Sequence, residues 1–348
     1  MTHFLQDILR QPDELRGVIE LLRREGPLQG AAAAVQGARH VYLTGIGASY
    51  NAALGAASHF HSAGRPVYLL DAAELLHSAR ILPDSLLIVL SRSGRSIEIV
   101  KLLEKARAVG ATIVGVTNFP DGALAQQATI PLILPVAPDH GISANTYVSL
   151  AAGAAAIASA EDAARGLDAQ LASTLLAAIA ATAKEIPAWQ RQLAQSSWLE
   201  PGATYCFLAR GASLASAYGA QLLWEEGVKV AALAMGTDSF RHGPQEIVTT
   251  GMRFAIWIDE RMREADLSVA RDLRRLGASV MLIGSSVPAD AGDLVIQHPS
   301  WPSSWQFLMD IIPAQLAAEA LSRISGVDCD QFRFASYVVE GDKGLLHT

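Results

Sequence analysis

Apolar positions along this chain fall into short continuous runs separated by longer stretches of helical period. In the first half the runs His40-Val41-Tyr42-Leu43, Pro66 to Leu70, Leu86 to Leu90, Thr112 to Val116 and Ile130 to Val136 read as strands. Between the third and fourth, Ile97 to Val109 sets Leu102, Leu103, Ala106 and Val109 on one helical face. The second half offers Thr204 to Leu208, Val228 to Ala234, Phe254 to Ile258, Val280 to Ile283 and Leu294 to Gln297. Strands alternating with helices predict an α/β protein with parallel sheets made of right-handed βαβ units.

The two halves keep nearly the same register. Gly47-Ala48-Ser49 recurs as Gly211-Ala212-Ser213, 164 residues later. The fourth strands are offset by 167 residues (Ile113 to Val280) and the fifth by 163 (Leu132 to Val295). Five strands in one order at one spacing predict a repeated flavodoxin-like unit, against the alternative of two unrelated α/β domains of equal size. The expected organisation is an N-terminal helix over 1–24, a first domain over 25–163, a helical connection over 164–196, a second domain over 197–340 and a tail over 341–348.

Composition narrows the class. The chain has 348 residues, 51% of them hydrophobic and 18% charged, as expected of a soluble α/β protein with a large core. A net charge of -7 without a Lys/Arg cluster argues against nucleic acid as a partner. No apolar run reaches the roughly 18–20 residues that span a bilayer, and no membrane partner is expected. The N-terminus lacks a signal-like core, and two cysteines, Cys206 and Cys329, form neither a disulfide framework nor a metal cluster. The expected setting is cytoplasmic.

Chemistry concentrates in four places. Ser91-Arg92-Ser93-Gly94-Arg95-Ser96 joins the run ending at Leu90 to the helical pattern that follows. Free N–H groups at a helix start favour an anion, and the hydroxyls add neutral donors, so the loop suits a monophosphate; the plain alternative is a capped βα turn. The matching segment of the second half, Ile256-Trp257-Ile258-Asp259-Glu260-Arg261, lacks the serines and carries two acids that would repel phosphate. One phosphate site per chain is therefore expected. Gly45-Ile46-Gly47-Ala48-Ser49 is either a tight turn or part of the same cleft. Glu225-Glu226 lies near the end of a helical segment and reads as a solvated face or a source of a base, and His242 in Arg241-His242-Gly243-Pro244 sits on a turn where it could shuttle protons.

Taken together, Gly47-Ala48-Ser49-Tyr50, the serine loop, Glu225-Glu226 and Arg241-His242-Gly243-Pro244 resemble the motifs of the sugar isomerase (SIS) family. The likeness is to its two-SIS-domain members, typified by the isomerase portion of glucosamine-6-phosphate synthase. The resemblance implies two flavodoxin-like SIS domains, each a five-stranded parallel sheet flanked by helices. It also implies a sugar phosphate held by Gly47, Ala48, Ser49, Ser91, Arg92, Ser93 and Ser96, with Ser143 and Tyr337 as further substrate contacts. Glu226 would move a proton between sugar C1 and C2, and His242 would assist ring opening from the neighbouring subunit of a homodimer. That chemistry needs no metal or cofactor.

The departures from the family pattern shape the functional expectation. A family lysine near the C-terminus is replaced by Tyr337, and Lys343 lies off register. The segment Ile142-Ser143-Ala144-Asn145-Thr146 matches a family motif only loosely. Position 2 is Thr2 and no glutaminase domain precedes it, which weighs against a glutamine-dependent synthase. The expected function is an aldose–ketose isomerase or an amino-sugar phosphate deaminase or deglycase. The alternative is a non-catalytic phosphosugar sensor.

Overall fold

In the computed structural model five parallel strands, β1 (His40–Gly45), β2 (Tyr68–Asp71), β3 (Ser85–Leu90), β4 (Thr112–Thr117) and β5 (Ile130–Ile133), form a sheet in the order β2-β1-β3-β4-β5. A second parallel sheet contains β6 (Tyr205–Ala209), β7 (Ala232–Gly236), β8 (Arg253–Trp257), β9 (Ser279–Gly284) and β10 (Leu294–Gln297) in the order β10-β9-β8-β6-β7. The structure describes all residues except Glu25, 161–166, Ser303, 335–337 and 342–348. Each sheet therefore has the flavodoxin-like order, with the first strand between the second and third.

Helices cover both faces of a parallel sheet, so its central strands are apolar throughout rather than alternating. All six residues of β3 are buried. Leu87 and Val89 pack against Ile99, Leu102, Leu103 and Ala106 of the helix Ile97–Ala108; of the face read from the sequence, Val109 instead follows the helix as its cap and is exposed. In the second sheet Phe254 and Ile256 of β8 meet Ala270 and Leu273 of the helix Arg263–Arg275.

The chain divides into two compact units. The first comprises Arg10–Leu176 and Phe332–Thr348, the second Met1–Leu9 and Ala177–Gln331. Two helices, His3–Leu22 and Ala169–Gln195, run from one unit into the other. The latter is long and apolar enough by length and composition to cross a bilayer. In the second unit, however, its Trp189 is buried and donates from Nε1 to the Gln297 carbonyl at 2.9 Å, as a core helix does.

One strand starts later than the apolar pattern suggests. β7 begins at Ala232 rather than Val228, because 224–228 continues the preceding helix as a wider turn and Lys229 closes it at φ 65°. The pattern there was apolar enough for a strand, but the backbone hydrogen bonds are helical.

Candidate functional site

The first sheet changes direction between β1 and β3, and the loops leaving those two strands lie side by side at its C-terminal edge. Such a crevice is where open α/β sheets hold ligands. After β1, Gly47 takes φ 56° as the cap of the helix Ala48–Ser62 and half-buries Ser49 in its first turn. After β3 comes the serine loop. Ser91 Oγ accepts the Gly94 N–H at 3.1 Å, and Ser93 Oγ accepts the Arg95 N–H at 3.2 Å. A hydroxyl that accepts from the loop keeps its own proton to donate. Ser96 caps the helix Ile97–Ala108 by position, with no side-chain capping bond.

Two glycines set the loop's shape. Gly94 has φ 64°, and a Cβ there would stand 2.7 Å from Leu124 Cβ. A Cβ on Gly122 would stand 2.1 Å from the Ser93 carbonyl oxygen. The segment after β4 is thus pressed onto the loop from behind. Thr117 Oγ1 adds a 3.0 Å bond to the Arg92 carbonyl.

Arg92 and Ser143 meet, with Nη1 donating to Oγ at 3.3 Å. Ser143 is positioned by a residue that sequence reading passed over. Buried Asp139 accepts the N–H groups of Ala144, Asn145 and Thr146 at 2.9–3.0 Å, and its Oδ1 accepts from Asn145 Nδ2 at 2.7 Å. It thereby caps the buried helix Asn145–Ser159. The cap stands six residues before the helix, outside the spacing of an ordinary capping motif, so only the folded loop reveals it. The carbonyl of Val339 accepts the N–H of Ile97, the first residue of the helix after the serine loop, at 3.0 Å. The C-terminal segment therefore reaches this end of the first unit, while Tyr337 and Lys343 lie outside the described residues.

In the second unit, Glu225 and Glu226 fall on a π-type turn, Trp224–Val228, where Lys229 N–H reaches back five residues to the Trp224 carbonyl. Single π turns recur at functional sites because they re-aim side chains that a regular helix would space differently. Trp224 anchors the turn, its ring 4.7 Å from Phe207 and 5.1 Å from Tyr205. Glu225 is exposed and accepts from Gln221 Nε2 at 3.0 Å, whereas Glu226 is half-buried. The Lys229 ammonium donates to the Glu226 carbonyl.

His242 follows the short helix Thr237–Phe240, exposed on a turn that Gly243 completes at φ 126°. Glu226 precedes β7 and His242 follows it. Five strand residues at about 3.3 Å rise put roughly 13 Å of sheet between those ends.

Comparison with known proteins follows the same lines. Residues 35–161, which hold the first sheet, match the SIS domain family. The resemblance read from the motifs holds, as do its two five-stranded α/β units. Among curated relatives, the glutamine–fructose-6-phosphate aminotransferase (isomerizing) of Pyrobaculum aerophilum is 27% identical over 351 residues, covering 95% of this chain and 56% of its own. The chain thus spans about half the length of the curated relatives it matches. The C-terminal domain of glucosamine-fructose-6-phosphate aminotransferase from Francisella tularensis superposes with a TM-score of 0.83 at 18% identity, covering 95% of this chain and 98% of that one. Glucosamine-6-phosphate deaminase from Thermotoga maritima gives 0.79 at 19%, covering 97% and 99%. At these identities the structures establish the fold.

Proposed function

We propose that this chain is a phosphosugar-processing enzyme of the cytoplasm, an aldose–ketose isomerase or an amino-sugar phosphate deaminase or deglycase. The observation that carries the reading is the serine loop. Hydroxyls that accept backbone N–H groups and keep their protons line a helix start at the switch point of a SIS sheet. That arrangement suits a phosphate monoester.

The phosphate group is held by Ser91, Ser93 and Ser96, with Ser49 on the adjoining loop and Arg92 and Ser143 beside it. Glu226 takes the proton from one of the first two sugar carbons and returns it to the other. Its half-buried position favours this over exposed Glu225. His242 assists ring opening. The likeness to two-SIS-domain proteins supports a homodimer in which this histidine comes from the partner. The names of the similar proteins, which include an isomerizing aminotransferase and a deaminase, support sugar phosphates as the substrate class.

The test is proton exchange. The protein is incubated in D2O with fructose 6-phosphate, glucose 6-phosphate and glucosamine 6-phosphate, each followed by NMR with ammonia assayed in parallel. Deuterium entering C1 or C2 of a bound ester is the expected result. Tight binding of an ester without exchange or product would replace the enzyme with a sensor.

A further inference from the structure

The second sheet has its own crevice at the same topological place. A cavity of about 330 Å³ opens at the C-terminal ends of β6, β8, β9 and β10. That is within the size range of small-molecule sites. It is lined by residues of the second unit, among them Asp259, Glu260, Arg261, His298, Ser300 and Trp301.

Its chemistry is opposite to that of the serine loop. At the position after β8 that corresponds to the phosphate seat, the chain supplies its own anion. Asp259 Oδ1 accepts the Arg261 N–H at 2.9 Å, and Oδ2 accepts from Arg261 Nη2 at 2.6 Å. These bonds to Arg261 hold the Asp259 carboxyl below the ordinary carboxylate range. Gly211, at φ 55°, gives the pair room, since a Cβ there would stand 2.9 Å from Arg261 Nη2. Glu260 is likewise neutralised, by Arg263 Nε at 3.1 Å and Nη2 at 2.5 Å. The lining thus presents two carboxylates and one guanidinium that is already bound, a poor seat for a phosphate dianion.

What the cavity does offer suits hydroxyls. Paired carboxylates still have lone pairs that accept O–H groups. His298 Nδ1 lies 2.7 Å from the Pro299 carbonyl, which only accepts, so Nδ1 donates there and the ring is held in place. Trp301 is tied by its Nε1 to Thr182 Oγ1 at 3.2 Å, which fixes an aromatic wall beside these acceptors. An aromatic wall with a few convergent acceptors matches a molecule that has apolar C–H faces and hydroxyl edges.

We propose that this cavity is a second ligand site, separate from the serine loop, for a sugar that carries no phosphate. The sugar ring packs on Trp301, and its hydroxyls donate to Asp259 and Glu260, with His298 beside them.

Saturation-transfer NMR of the full chain with glucose, galactose and fructose tests this. At least one of the three should receive saturation. Trp301→Ala should weaken it about tenfold, a change of 1.4 kcal/mol. Ser300→Arg, which fills the cavity from an exposed position, should abolish it and carries the test if Trp301→Ala does not fold. Ser93→Ala, in the other unit, should leave it unchanged. Absence of transfer to all three sugars overturns the proposal. So does competition by inorganic phosphate, or binding that survives Ser300→Arg.

Discussion

Ser91 Oγ accepts the backbone N–H of Gly94 at 3.1 Å, so the first hydroxyl of the serine loop shapes the loop before it touches any ligand. Ser93 repeats the arrangement with Arg95. Both hydroxyls are therefore pre-oriented, and little ordering is left for binding. Changing Ser91, Ser93 and Ser96 together to Ala should weaken sugar-phosphate binding by several kcal/mol, at about 1–1.5 kcal/mol per hydrogen bond and more for a charged acceptor. Binding of the matching unphosphorylated sugar should barely change. Calorimetry with both ligands checks this, and equal losses would remove phosphate from the loop.

The packing behind the loop predicts a different kind of variant. Gly122→Ala places a methyl group against the Ser93 carbonyl, where no side-chain rearrangement relieves the contact because the obstacle is backbone. Overpacking of this sort costs about 1–3 kcal/mol. Thermal unfolding should show the loss, and phosphate-ester affinity should fall with it as the loop is displaced. Gly37→Ala, where a Cβ meets nothing within 4 Å, is the control.

The two glutamates should separate cleanly. Glu226→Gln keeps the volume and removes the base, so turnover should fall by the roughly 10²–10⁴-fold typical of a lost general base, with substrate binding retained. Glu225→Gln, exposed and bonded only within its own helix to Gln221, should have little effect. The reverse result would shift the base by one residue. Indifference to both would show that the family's chemistry does not operate in this chain.

A shared site can be tested by mixing. Chains carrying His242→Ala and chains carrying Glu226→Gln should each be inactive alone. After subunit exchange, a heterodimer should regain one intact site, and activity should approach a quarter of the wild-type value. That fraction follows if half the dimers are mixed and each holds one of two sites. No recovery after proven exchange would place both residues on one chain's site.

Acid should probe the internal anion of the second unit. The Asp259 carboxyl titrates lower in the folded chain than in the unfolded one, chiefly because Arg261 donates to it. Its contribution is therefore fully present above the unfolded value of about 3.9 and is lost as pH falls through the folded value. Asp259→Asn should be less stable than wild type at neutral pH, and the gap should close below about pH 4. A gap independent of pH would mean that the carboxylate's charge does no work there.

The amino-acid pattern alone determined the α/β class, ten strands in two matching sets, and the serine loop. These are local signals: apolar runs of strand length, a helical period, and hydroxyls placed at a helix start. The start of β7 was not legible, because Val228-Lys229-Val230 alternates as a strand does and only the hydrogen bond from Lys229 back to Trp224 keeps its first residues in the helical turn. Nor was the capping role of Asp139, whose partners lie five to seven residues away across a loop. The acids after β8 were visible as a reason against phosphate. That Asp259 turns back onto its own loop, and that Trp301 joins it in a cavity more than forty residues further along, follows only from tertiary structure. A parallel sheet gathers the ends of distant strands at one edge, and residues far apart in the chain become neighbours there.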